Sequence, residues 1–116
     1  MMDFSDVPIY LHRAPVDFRK AINGLSIIVD NEMGQSIFDD GLFVFCNKGR
    51  DKLKVLYWDK TGFCLWQKRL EKDKFMWPRK HADVVISWNI EQLNWLLRGF
   101  DVSKFNAHNP LKYKAI

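Results

Sequence analysis

The chain has 116 residues, 47% of them hydrophobic, and carries 18 Lys and Arg against 14 Asp and Glu, a net charge of +4. That length suits one domain with its own core, the composition excludes a disordered chain, and no apolar run approaches the ~18 residues that suggest a membrane span. The opening "MMDFSDVPIY" is acidic and lacks the basic-then-apolar pattern of a signal peptide, so a cytoplasmic protein is expected.

In chain order, "VPIYLHRA" predicts a first strand from Val7 to His12, ended by Pro15. "DFRKAINGLSIIVDNEMG" predicts a helix: Asp17 can cap its first turn, Ala21, Leu25 and Ile28 fall near helical spacing, and Gly34 can end it in a left-handed cap. Asn23-Gly24 is a point where that helix can kink or break. The apolar run Leu42 to Cys46 predicts a strand buried on both faces. After the turn "NKGRD" come strands from Lys52 to Trp58 and from Phe63 to Leu70, joined by "DKTG". "EKDK" leads to "FMWP", where Pro78 suits a strand end or edge. "VVIS" reads as a last short strand. "SWNIEQLNWLLRGF" predicts a helix capped by Ser87 or Asn89, with a stripe of Ile90, Leu93, Leu96 and Leu97 and a stop at Gly99.

Short connections make the middle strands antiparallel neighbours. The expected fold is therefore α+β: an antiparallel β-meander of four to five strands with both helices on one face. Residues 1–102 form the single domain and residues 103–116 a polar tail.

Cys46 and Cys64 lie in separate apolar stretches with no metal-ligand spacing, which predicts buried free thiols. His12, His81 and His108 are scattered, and no nucleophile elbow or phosphate-binding glycine loop is present. Asp39, Asp40 and Asp59 belong to turns, where Asp is expected anyway. The residues thus predict no metal, no cofactor and no enzyme.

Charge is the informative feature. Residues 1–46 carry 3 Lys and Arg against 7 Asp and Glu, whereas residues 47–81 carry 11 against 4, a net of +7. Such concentration favours a polyanion partner. If Trp58 pairs with Phe63, period-2 geometry puts Leu53, Val55, Tyr57, Cys64, Trp66 and Lys68 on a core-facing side. The other side carries Lys52, Lys54, Leu56, Trp58, Phe63, Leu65, Gln67 and Arg69. Cations meet phosphate and rings stack bases, so this mixed face is a candidate DNA surface. The candidate residues are Arg19, Lys20, Arg50, Lys52, Lys54, Trp58, Lys68, Arg69, Lys72 and Lys74. Most of the cations are expected on one side of the domain.

The stretches "DFRKAINGL", "LFVFCNKGRDKLKVLYWDKTGF", "KRLEKDKFMWP" and "EQLNWLLRGFD" resemble, in order and spacing, the small accessory protein encoded by the second open reading frame of insertion sequence family sixty-six. The resemblance spans about Ile9 to Asp101. It implies a part in DNA transposition beside a larger transposase encoded by the same element. It carries over no catalytic residue. Asp73 stands where the family usually has Gly, and left-handed backbone there would be tolerated by Asp at some cost. The implied partners are DNA and the element-encoded transposase. The rival expectation is a module that docks the transposase without touching DNA.

Overall fold

Five apolar side chains in a row, Leu42–Cys46, decide the architecture of the domain. In the computed structural model, which describes residues 6–104, all five are buried. Side chains of a strand alternate between faces, so a strand with every side chain buried needs cover on both. The observed order is β1 (Ile9–His12), α1 (Ile22–Glu32), β2 (Leu42–Cys46), β3 (Lys52–Asp59), β4 (Gly62–Arg69), β5 (Val85–Trp88) and α2 (Ile90–Leu97), followed by a 3₁₀ turn over Val102–Lys104. The five strands form one sheet in the order β4-β3-β2-β1-β5.

The α+β class holds, but two details of the expected layout do not. First, β1 and β2 are parallel, with Ile9 beside Leu42 and Leu11 beside Val44. Parallel neighbours need a crossover connection, and α1 lies within it. All other pairings are antiparallel, so the sheet is mixed and not an antiparallel meander. Second, the helices take opposite faces. Leu25, Ile28 and Val29 of α1 pack with Phe43, Phe45 and Leu56. Leu93 and Leu96 of α2 pack with Leu42, Val44, Cys46, Leu53 and Val55. The alternation along β2 separates the two clusters, and two helices on one face would have left Phe43 and Phe45 in water.

Strand β4 is at one edge and β5 at the other, so the chain must cross the sheet between them. It does so through "FMWP", which forms no strand. Phe75 and Trp77 are buried in the α2-side core while Met76 between them is exposed. The Phe75 amide donates to the Arg50 carbonyl at 2.7 Å, and the Trp77 indole donates to the Arg13 carbonyl at 2.8 Å. The alternation in this segment is therefore satisfied by covering the sheet, not by extending it.

Local signals fare unevenly. Asn89 caps α2 with a full capping box: its side chain accepts from the Gln92 amide at 2.9 Å, and the Gln92 side chain accepts from the Asn89 amide at 2.9 Å. Gly34 and Gly99 follow their helices in left-handed conformations, φ 65° and 94°. Helix α1 runs through Asn23-Gly24 unbroken, yet starts at Ile22 without a side-chain cap. Asp17 instead closes a turn, accepting from the Arg19 amide at 2.9 Å. Asp73 is not left-handed; Arg50 and Lys60 are, at φ 61° and 51°. Of the expected tail, Ser103 and Lys104 belong to the 3₁₀ turn and residues 105–116 lie outside the described residues. Among the described residues no helix is long and apolar enough to cross a membrane.

Candidate nucleic-acid interface

The two-residue turn at Lys60 and Thr61 fixes the register of the β3–β4 hairpin. Trp58 stands opposite Phe63, Val55 opposite Trp66, and Lys52 opposite Arg69. Directly opposite residues share a face, so Lys52 and Arg69 lie together on the α1 side, at the root of the hairpin.

Beside them is a groove lined by the β1–α1 loop and the β2–β3 turn, including Val16, Phe18, Arg19, Asn47, Lys48 and Lys52. Asn47 builds its floor: its side-chain carbonyl accepts from the Lys52 amide at 3.0 Å, and its amide donates to the Asp51 carboxylate at 2.7 Å. That bond holds the Asp51 carboxyl below its ordinary range. Arg19 is clamped by Asp17, with Nη2 at 2.5 Å and Nε at 2.9 Å from Oδ2. The hydrogen bonds from Arg19 push the Asp17 carboxyl down to about 2. Arg69 pairs with Glu71 at 3.2 Å, both side chains exposed. Such exposed pairs are worth only ~0–1 kcal/mol, so phosphate can replace the carboxylate at little cost. Among the described residues, no carboxylate lies within ion-pair distance of Lys48 or Lys52.

Lys54 is on the same face two residues further on, but it is only 6% exposed. Its ammonium donates to the carbonyls of Phe18 at 2.9 Å and Lys20 at 2.8 Å, and lies 4.7 Å from the centre of the Phe18 ring. Burial lowers its pKa. Lys54 thus pins the loop that carries Arg19 and Lys20, and does not belong to the exposed group. The side chains of Arg19 and Lys20 remain exposed.

The remaining cations separate. Lys68 points to the α2 side, its ammonium donating to the Leu97 carbonyl at 3.0 Å. With Lys72, Lys74 and Arg98 it lines a second cleft, across the sheet from the first. Arg50 stands in the β2–β3 turn at the same end of the sheet. The expected gathering of most cations on one side is therefore corrected to two sides: Lys68 keeps the core-facing side that alternation gives it, and Lys72, Lys74 and Arg98 join it there. Trp58 is at the far end of the hairpin, six residues from Lys52 along β3, or ~20 Å at the usual strand rise. Its ring meets Phe63 edge-on at 4.9 Å and Phe38 at 5.1 Å. Sequence reasoning missed Lys48, Arg98 and Phe38. Lys48 was visible in the basic segment; Arg98 and Phe38 reach these places only through folding.

Other polar groups serve structure. His12 is buried, with Nε2 at 3.1 Å from Glu32 and Nδ1 at 2.8 Å from the Ala14 carbonyl, tying β1 to the end of α1. Among the described residues, no group of three or more His, Cys, Asp or Glu side chains is placed to hold a metal ion.

The family described as IS66 Orf2 like protein matches residues 7–107. The uncharacterized protein y4jC of Sinorhizobium fredii (strain NBRC 101917 / NGR234) is 36% identical over 98 residues, covering 84% of this chain and 82% of its own length. The uncharacterized protein y4hO of the same strain is 31% identical over 96 residues, covering 83% of each. No solved structure matches the chain significantly. With a match that spans the whole sheet and both helices, the chain belongs to the IS66 Orf2-like family.

Proposed function

We propose that this chain is a non-catalytic, cytoplasmic accessory protein of insertion-sequence transposition, and that it holds duplex DNA by the phosphate backbone. Family membership supports the accessory role. The observation that carries the DNA reading is the root of the hairpin. There Lys52 and Arg69 stand side by side in register, and Lys52 lines an open groove together with Lys48 and the ion-paired Arg19 and Asp17. Cations on a rigid sheet end, set by backbone hydrogen bonds, fit a regular array of phosphates. Phosphate contacts carry no sequence information directly, so the binding is expected to be largely sequence-independent.

The test is a salt series of shift assays with a labelled duplex, comparing the parent with Lys48→Ala/Lys52→Ala/Arg69→Ala. The slope of log affinity against log salt is expected to fall by roughly 3, at ~0.9 for each phosphate that is no longer neutralised. Equal binding at every salt concentration would remove the groove from the DNA-binding surface.

The rival reading is docking of the element-encoded transposase. One feature favours it: Phe38 is 61% exposed and, with Trp58 and Phe63, forms an aromatic cluster at the hairpin tip. Loss of transposase co-purification on Phe38→Ser, with duplex binding intact, would give the tip that role.

A further inference from the structure

We infer that the α2 side of the domain holds a second duplex, so that one chain bridges two DNA segments. This rests on the reading of the groove as a DNA site. The starting point is the alternation at the end of β4. Arg69 turns toward the groove, and Lys68 turns the opposite way, against α2. Four cations, Lys68, Lys72, Lys74 and Arg98, line the cleft there with a single carboxylate, Asp73.

The negative end of a helix accounts for two of these cations. Lys68 donates to a last-turn carbonyl of α2, and Arg98 stands at its C-cap. Lys72 and Lys74 have no such reason to be there. They are exposed in the loop after β4, and among the described residues no carboxylate lies within ion-pair distance of either. A surface serving solubility alone intersperses the two signs. Along the loop the signs do alternate, Glu71-Lys72-Asp73-Lys74, but the cleft itself is lined by four cations against Asp73 alone, an excess whose mutual repulsion a polyanion would relieve.

The two clefts cannot serve one straight duplex lying flat on either face. The sheet stands between them, with Lys52 and Arg69 on one face and Lys68 on the other. DNA is stiff over ~150 bp, so a short duplex seated on one face does not bend around the sheet edge to reach the other without a deformation cost. Two phosphate-binding clefts on opposite faces, at the same end of the sheet, would hold two duplexes side by side. That is the geometry for bringing distant DNA segments together.

The test uses the full chain and two short duplexes, one tethered to beads and unlabelled, the other free and fluorescent. The parent should retain the labelled duplex on the beads. Lys72→Ala/Lys74→Ala/Arg98→Ala and, separately, Lys48→Ala/Lys52→Ala/Arg69→Ala should each still bind one duplex. Capture of the second should weaken by roughly tenfold or more in each, as the removal of several phosphate-neutralising cations requires. Urea midpoints close to that of the parent establish that both variants are folded. Two results overturn the inference: a parent that binds one duplex but captures no second, as when a single duplex lies along the β4 edge and touches both clefts, or an α2-side variant that captures as well as the parent. A parent that binds no duplex at all defeats the groove itself, and the bridge with it.

Discussion

The β3–β4 hairpin has opposite chemistry at its two ends. At the root, Lys52 faces Arg69 across the strands; at the tip, Trp58 faces Phe63. All four side chains are on the α1 side of the sheet, yet they do not form one surface. Between them Lys54 and Leu56 are buried under α1 and the β1–α1 loop. The root is cationic and open, its side chains placed by the Asn47 turn. The tip is apolar and half-buried, its rings packed on each other and on Phe38. Sharing a face of a sheet does not mean sharing an interface; what is laid over the middle of the face decides that.

The sharpest contrast in stability is expected at the thiols. Cys46 is buried beside the root, paired with Leu53, and Cys64 is half-buried near the tip, paired with Tyr57. Burial pushes the Cys46 thiol from 9.0 up to about 12. Its folded pKa is thus raised above its unfolded one. Between pH 9 and 12 the unfolded chain gives up this proton and the folded chain keeps it, so stability falls as pH rises. Urea melts across that window should show the parent losing about 1.4 kcal/mol per pH unit more than Cys46→Ala, or ~4 kcal/mol in all. Parallel pH profiles would mean that the root end is open to water even at the core strand.

Next in size is Lys54→Met. It keeps the aliphatic stem but leaves the Phe18 and Lys20 carbonyls without their donor. A loss of roughly 2–3 kcal/mol is expected in chemical denaturation. Below the melting transition, the salt slope for duplex binding should stay near that of the parent. A lower slope with unchanged stability would return Lys54 to the exposed cations.

At the tip, Trp58→Ala removes two edge-on ring pairings and should cost roughly 1–2 kcal/mol. Duplex affinity should not change, because the ring is far from the root. A tenfold loss in duplex affinity (~1.4 kcal/mol) would merge the two ends into one interface.

The smallest stability effect belongs to Lys52→Ala, within about 0.5 kcal/mol of the parent, as for exposed substitutions in general. Its signature is in the salt slope, lower by ~0.9. The contrast with Lys54, on the same strand and the same face, tests directly whether burial separates a structural lysine from a binding one.

Much of this protein is determined by its sequence alone. Side-chain alternation and the two-residue turn set the register that places Trp58 on Phe63 and Lys52 on Arg69. The Asn89–Gln92 box and Gly99 bound α2, since caps act over a few residues. The ordered motifs identify the family, which the match over residues 7–107 bears out. Other features depend on chain segments that meet only after folding. The parallel pairing of β1 with β2, the placement of the helices on opposite faces, and the path of Phe75 and Trp77 across the sheet all answer one need, to cover both sides of Leu42–Cys46. The fate of the lysines has the same origin. Lys52 and Lys54 are alike in type, strand and facing, but the carbonyls that capture Lys54 come from residues 34 and 36 positions earlier. Lys68 likewise finds its carbonyl 29 positions later, on α2. Periodicity fixes which way a side chain points; whether it meets water or backbone there is decided by segments brought in from elsewhere in the chain.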